Sequence, residues 1–199
     1  MAAGETAEGA RARLFVALAL PDEIRDAIVA WQGGALDDPA LRAVRPEALH
    51  FTLAFLGSLP ESEIDAVAAA LPEGLPAPRL RLSPTPVAVP RGGRPRLFAI
   101  EAESEGAVEV QAEVASALQR AGFYEPEKRP FWPHLTVARV RSEGKGSRRS
   151  RRVEKPPPPL PPACEHPFAS VRMQLYRSYL RPQGAEYVSL ASLELNPDS

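Results

Sequence analysis

Cysteine occurs once in the 199 residues, so Cys164 has no intramolecular disulfide partner, and paired-thiol redox or zinc-ribbon chemistry is excluded. An excess of charge is missing too: 24 Lys and Arg face 25 Asp and Glu, for a net charge of -1. With no global pull toward nucleic acid or membrane, any RNA contact must come from a local patch. Long apolar runs are absent as well. The stretch Leu14 to Leu20 is too short to cross a membrane, and Pro21-Asp22-Glu23, which reads as a helix start, comes directly after it. Lysine is confined to Lys128, Lys145 and Lys155, none in a Lys-x-Asp-Gly context, and no Walker-type loop is present, which argues against ATP-dependent ligation. The expected location is a reducing cytoplasm.

The chain does hold 44% hydrophobic residues, enough for one sizeable core. Residues 1–10 read as a disordered leader and 11–197 as a single domain. Arg13 to Leu20 is a strand candidate; Asp22 to Trp31 carries Ile24, Ala27, Ile28 and Trp31 on one helical face, and Gly33-Gly34 is expected to end that helix. A strand from Leu49 to Leu56, closed by Gly57, precedes a helix from Glu61 to Leu71 and a proline-punctuated strand near 79–89. The pattern then repeats, with a strand at Leu97 to Ala102, a helix at Val108 to Ala121 and a strand at His134 to Val140. Two further strands, Phe168 to Leu180 and Glu186 to Leu195, are expected around the turn Arg181-Pro182-Gln183-Gly184. The repetition suggests a duplicated β-α-β unit in an α+β fold with two equivalent lobes.

Between these elements, Arg141 to Lys155 holds seven basic residues against two acidic ones, and residues 156–162 hold six prolines in seven positions. This reads as an exposed basic loop leading into an extended polyproline spacer with no packed core, either a plain connector or an RNA-steering element.

Of only three histidines, two sit in near-identical settings, Leu49-His50-Phe51-Thr52-Leu53-Ala54 and Pro133-His134-Leu135-Thr136-Val137-Ala138. In a strand, residues i and i+2 project to one face, so each imidazole should stand beside a threonine hydroxyl. Two lobes related by a pseudo-twofold axis would bring both pairs to one cleft. That set suits a phosphodiester, whose hydrolysis needs a base for water, an acid for the departing oxygen and donors for the phosphoryl oxygens. Histidine serves either proton role near neutrality. Two histidines without a nearby cysteine or matched carboxylate are thin ligation for zinc, so no metal is expected. The residues alone do not say which histidine is acid and which is base. Phe15, Phe131 and Trp132 are candidates to stack a base or to pack the core, and His166, beside the proline spacer with no threonine partner, has no role.

His50-Phe51-Thr52-Leu53 and His134-Leu135-Thr136-Val137 resemble the paired HxTx signatures of the 2H phosphoesterase superfamily, in particular its bacterial RNA 2',3'-cyclic phosphodiesterases, also called 2'-5' RNA ligases. Arg13-Leu14-Phe15-Val16-Ala17-Leu18, Leu53-Ala54-Phe55-Leu56-Gly57, Arg129-Pro130-Phe131-Trp132-Pro133 and Leu175-Tyr176-Arg177-Ser178 with Tyr187 are similar too, so the resemblance runs over residues 13–195. It implies a bilobal, LigT-like fold with antiparallel sheets lining a central cleft. It also implies conversion of RNA 2',3'-cyclic phosphate ends to 2'-phosphates without metal or nucleotide cofactor, by a monomer with no obligate protein partner. His50 would protonate the leaving 3'-oxygen, His134 would activate water, and Thr52 and Thr136 would bind the phosphate. Arg139 matches an arginine of the family, although strand parity puts it on the face opposite His134 unless a bulge intervenes. The insertion at 141–162 departs from the family in length and charge.

Ligation would reverse the phosphodiester chemistry, with an RNA 5'-hydroxyl replacing water. A non-catalytic RNA-end or nucleotide binder, and a 2H enzyme for another small substrate such as ADP-ribose cyclic phosphate or 2'-5' oligoadenylate, are the alternative readings.

Overall fold

The computed structural model describes residues 9–144, 146–181 and 184–197. Residues 1–8 of the expected leader and the centre of the expected 181–184 turn lie outside the described residues.

β1 (Arg11–Ala19) leads into α1 (Asp22–Ala35), then a short β2 (Leu41–Ala43) and a long β3 (His50–Pro60). The helical Glu61–Glu63 turn runs into α2 (Ile64–Ala69), and β4 (Arg79–Leu82) and β5 (Val87–Val89) come next. β6 (Leu97–Glu105), α3 (Ala107–Arg120) and β7 (His134–Val140) form the second β-α-β unit, and β8 (Phe168–Ala169), β9 (Arg172–Arg181) and β10 (Gly184–Glu194) complete the chain. The strands join in the order β10-β9-β1-β3-β7-β6-β4-β8, with β2 added to β7 and β5 to β6, and every named pairing is antiparallel.

The order is a palindrome in its logic. β1-α1-β3 and β6-α3-β7 are the two units, and β3 meets β7 at the centre through one pair, Phe51 with Leu135. The expected two-lobed α+β fold is therefore present, as two half-sheets hinged on that contact. One sheet face is covered by α1 and α3, whose Ile28, Val110, Val114 and Leu118 bury against Leu14, Val16, Leu18, Phe51, Ile100, Leu135 and Leu175. On the other face a small aromatic cluster of Phe15, Ala17 and Tyr176, with Tyr187 beside it, floors the cleft. Coverage of both faces explains why Leu14 to Leu20 reads as a continuous apolar run rather than an alternating one.

Several elements differ from expectation. The single strand expected near 79–89 is two, β4 and β5, each paired with a different stretch of β6, and the strand expected from Phe168 to Leu180 is split into β8, which pairs with β4, and β9, which pairs with β1 and β10. α1 continues through Gly33 and Gly34 to Ala35, because Gln32, one residue earlier, is tied into the core and the two glycines sit exposed behind it. β3 continues past Gly57, which does not close the strand: Leu14 pairs with Gly57 and Phe15 with Phe55, so Leu56 is bulged out. Gly57 adopts φ +75 at that bulge, a conformation open to glycine at little cost. β2 was not expected at all, since three residues are too few to show a period.

The proline-rich segment is extended, as expected, yet it packs. Pro157, Leu160 and Cys164 are buried, close to the three-residue repeat of an extended polyproline chain. The indole of Trp31 on α1 donates to the Pro159 carbonyl at 3.1 Å, and Leu160 N–H donates to the Pro84 carbonyl at 2.7 Å. The basic loop returns to the body at Asp38, whose buried carboxylate accepts from the N–H groups of Ala40, Glu154 and Lys155. Those backbone donors, Lys155 first, hold Asp38 below the ordinary carboxylate range.

Candidate active site

His50 opens β3 and His134 opens β7. The two strands share one burial pattern over their first six residues: His and Thr half-buried, the residue after each of them buried, the fifth buried and the sixth exposed. Phe51 and Leu135, 1% and 0% exposed, anchor the core side. Because side chains alternate along a strand, His50, Thr52, His134 and Thr136 all emerge on the opposite side, into the cleft. The antiparallel register set by Phe51 and Leu135 carries His50 across from Thr136 and Thr52 across from His134. Both imidazoles and both hydroxyls thus surround the point where the two half-sheets meet.

Each motif strand then bulges at the fourth position of its motif. In β3, Ala17 pairs with Thr52 and Val16 with Ala54, leaving Leu53 over; in β7, Ala99 pairs with Thr136 and Phe98 with Ala138, leaving Val137 over. One extra residue reverses the parity of the positions beyond it. Arg139, which simple alternation would put on the far face, therefore turns into the cleft, and so does its counterpart Phe55. Two glutamines serve the bulges across the pseudo-twofold axis. Gln32 of α1 donates to the Val137 carbonyl at 2.7 Å and to the Val44 carbonyl at 3.1 Å, and Gln111 of α3 donates to the Leu53 carbonyl at 3.4 Å. A helix of each unit thus caps the irregular carbonyl of the other unit's motif strand.

The two histidines share a geometry but not an environment. His134 lies flat on Trp132 at 4.0 Å, and its Nδ1 is 2.8 Å from the Trp132 carbonyl. A carbonyl can only accept, so Nδ1 carries the hydrogen and Nε2 offers its lone pair to the cleft. Trp132 is itself held by Glu101, which accepts from the indole N–H at 2.8 Å and pairs with Arg91 at 2.5 Å. His50 sits among Phe15, Tyr187 and Tyr176 at ring separations of 4.9, 5.3 and 5.9 Å. Its Nδ1 is buried and makes no hydrogen bond of ordinary geometry, with the Ala48 carbonyl as the polar group beside it, and Nε2 is the nitrogen turned to the cleft. Burial pushes the His50 pKa down to about 4, the nearby Ala48 carbonyl opposes that, and the charges of His134 and Arg139 add to it.

The cleft has a volume of about 830 Å³. Among the described residues, five arginines line it, Arg13, Arg42, Arg45, Arg139 and Arg181, and no carboxylate does. Among the described residues, no group of three His, Cys, Asp or Glu side chains comes together that could hold a metal ion. Among the described residues, no helix is long and apolar enough to cross a membrane.

The sequence matches the family model described as the 2'-5' RNA ligase superfamily over residues 20–172. The chain belongs to the 2'-5' RNA ligase superfamily. Within it, the chain is 32% identical over 195 residues to an RNA 2',3'-cyclic phosphodiesterase of Thermus thermophilus, covering 92% of this chain and 90% of that one. It is 27% identical over 183 residues to one from Methanocaldococcus jannaschii, covering 88% and 96%. Among solved structures, a Thermus thermophilus protein superposes with a TM-score of 0.71 at 29% identity, over 94% of this chain and 100% of that one. Escherichia coli LigT complexed with 3'-AMP superposes with a TM-score of 0.70 at 26% identity, over 94% and 99%.

Beside this superfamily framework, the placement of the candidate residues is specific. His50, His134, Thr52, Thr136 and Arg139 all line one cleft, while His166 is exposed elsewhere. Of the three aromatic candidates, Phe15 lines the cleft against His50, Trp132 backs His134 from behind, and Phe131 packs on the main core. The basic patch expected in the 141–155 loop is partly spent on internal pairs, Glu143 with Arg94 and Arg149 and Glu154 with Arg152. Arg42, Arg45, Gln32 and Gln111 gave no motif to find; the arginine cluster forms only when β2 pairs with β7.

Proposed function

We propose that the chain hydrolyses RNA 2',3'-cyclic phosphate ends to 2'-phosphates by two-histidine acid/base catalysis. The observation that carries this reading is the antiparallel contact of β3 with β7, which brings two His-Thr pairs from distant sequence onto one cleft. His134 Nε2 takes a proton from water as its oxygen bonds to phosphorus. The bond from phosphorus to the 3'-oxygen breaks, and His50 Nε2 delivers a proton to that oxygen. The products are a 2'-phosphomonoester and a free 3'-hydroxyl, and proton exchange with solvent restores both rings. Thr52 and Thr136 donate to the non-bridging oxygens, and Arg139 balances the charge that builds on them. The Trp132 carbonyl suits His134 to the base role by fixing its tautomer.

The donor role sets a condition on His50. Burial, which pushes its pKa down to about 4, favours the neutral ring at neutral pH, so the anionic phosphodiester must bring the counter-charge that protonates it. Substrate binding and proton uptake are then coupled. Residues 11–197 act as one catalytic unit, because each half supplies one His-Thr pair. A monomer suffices for the same reason, and a cytoplasmic location accords with the lone, buried Cys164. The test is turnover of a 2',3'-cyclic nucleotide in EDTA with product identification. A 2'-phosphate formed at an undiminished rate supports the reading; no turnover, or a 3'-phosphate product, overturns it.

A further inference from the structure

A cyclic phosphodiester carries one negative charge, and the cleft offers far more than one positive charge to meet it. Arg181 is paired with Glu186 at 3.1 Å, but Arg13, Arg45 and Arg139 have no carboxylate partner among the described residues. Arg42 and Arg139 are direct partners in the β2-β7 ladder, so their side chains leave the sheet on one face. Arg45 stands next on the same wall. The first residue of the basic insertion buttresses that wall: Arg141 N–H donates to the Ala40 carbonyl at 2.8 Å, and its Nε donates to the Leu41 carbonyl at 3.2 Å. On the other side, the Arg42 guanidinium lies against Gly184, where a Cβ would approach it to 3.1 Å and where φ is +121. The guanidinium is therefore packed into position rather than loose in solvent.

We propose that Arg42 and Arg45, beside Arg139, form a second phosphate subsite that holds the phosphodiester adjoining the reacting cyclic phosphate, so that the preferred substrate is an RNA strand of at least two nucleotides rather than a mononucleotide. This rests on the cyclic phosphodiesterase reading above. Arg45 and Arg139, which have no carboxylate partner among the described residues, repel each other and the neighbouring Arg42, and the cluster gains when an anion enters between them. The state of Arg42 agrees: burial first, then the charges of Arg141, Arg139 and Arg45, hold it below the ordinary arginine range. The cleft, at about 830 Å³, has room beyond the group that meets the two histidines.

The test compares three substrates: adenosine 2',3'-cyclic phosphate, an adenylyl dinucleotide ending in the cyclic phosphate, and the same dinucleotide with an uncharged methylphosphonate linkage. In the unmodified protein, kcat/KM for the charged dinucleotide should exceed that for the uncharged one by about tenfold or more, as expected for a charge-assisted contact. It should also fall more steeply with salt. In Arg45→Gln the advantage should shrink to about threefold or less, with Arg45→Lys keeping most of it. Arg45 is exposed, and an unchanged melting temperature would show that the fold is intact. Turnover of all three substrates with no preference for the charged linkage, or a preference that survives Arg45→Gln and Arg42→Gln alike, overturns the subsite and leaves the cyclic phosphodiesterase reading standing. Failure to turn over any of the three overturns that reading, and the subsite with it.

Discussion

The half of the cleft that carries His50 and the half that carries His134 are built alike and wired differently. Both have the same six-residue burial pattern, a bulge at the same motif position and a glutamine from the opposite unit on the bulge carbonyl. Yet His134 has a close carbonyl partner at 2.8 Å and an indole beneath it, whereas His50 sits in an aromatic box where the Ala48 carbonyl makes no hydrogen bond of ordinary geometry with its inner nitrogen. Duplication thus accounts for where the two rings are. The residues around them, which are not duplicated, make the two environments different, and an acid/base pair needs such asymmetry.

The largest expected effect comes from removing either ring. His50→Ala and His134→Ala should each lower turnover of a 2',3'-cyclic nucleotide by about 10²- to 10⁴-fold, with an unchanged circular dichroism spectrum. A single variant near the unmodified rate would break the symmetry of roles.

Next comes the pH dependence of stability. The folded His50 pKa of about 4 lies below the ordinary value of 6.5. The unfolded chain therefore binds a proton first as pH falls, and stability should drop between about pH 6.5 and 4, by at most about 3 kcal/mol from this group. Above that window the ring is neutral in both states and contributes no slope. Urea unfolding at stepped pH should show the slope in the unmodified protein and a reduced one in His50→Gln. An equal slope in both would remove the asymmetry between the two histidines.

The bulge clamps come third. Gln32 is buried and makes two hydrogen bonds, so Gln32→Leu should cost about 1–3 kcal/mol by leaving the Val137 carbonyl short of a donor. Gln111→Leu, which removes one longer bond, should cost less. Denaturant midpoints that rank the other way would contradict the clamp assignment. The smallest effect is expected at Trp132: Phe keeps a ring under His134 and Leu does not, so Trp132→Leu should lower kcat by a few-fold and shift the pH-rate profile more than Trp132→Phe does.

The sequence was most legible where a residue's neighbours along the chain determine its role. The paired His-x-Thr strands, both long helices and the duplicated β-α-β order all come from local period and motif. The α1 end was misread because the glycine signal is a propensity, and the buried tether of Gln32 outweighs it. Arg139 illustrates the limit more sharply. Its inward turn depends on one uncounted residue, Val137, whose bulge is visible only in the pairing of β6 with β7. The arginine wall was illegible for a similar reason, since Arg42 and Arg139 become neighbours only through a three-residue strand with no period to read.

The central claim is that two imidazoles from different halves of the chain act as one unit on one phosphorus. The most direct test is the rate of the His50→Ala, His134→Ala double variant on a 2',3'-cyclic nucleotide beside the two single variants. Groups that work in a single transition state should give a double variant about as slow as the slower single one. Losses that multiply would show two independent contributions and contradict the account.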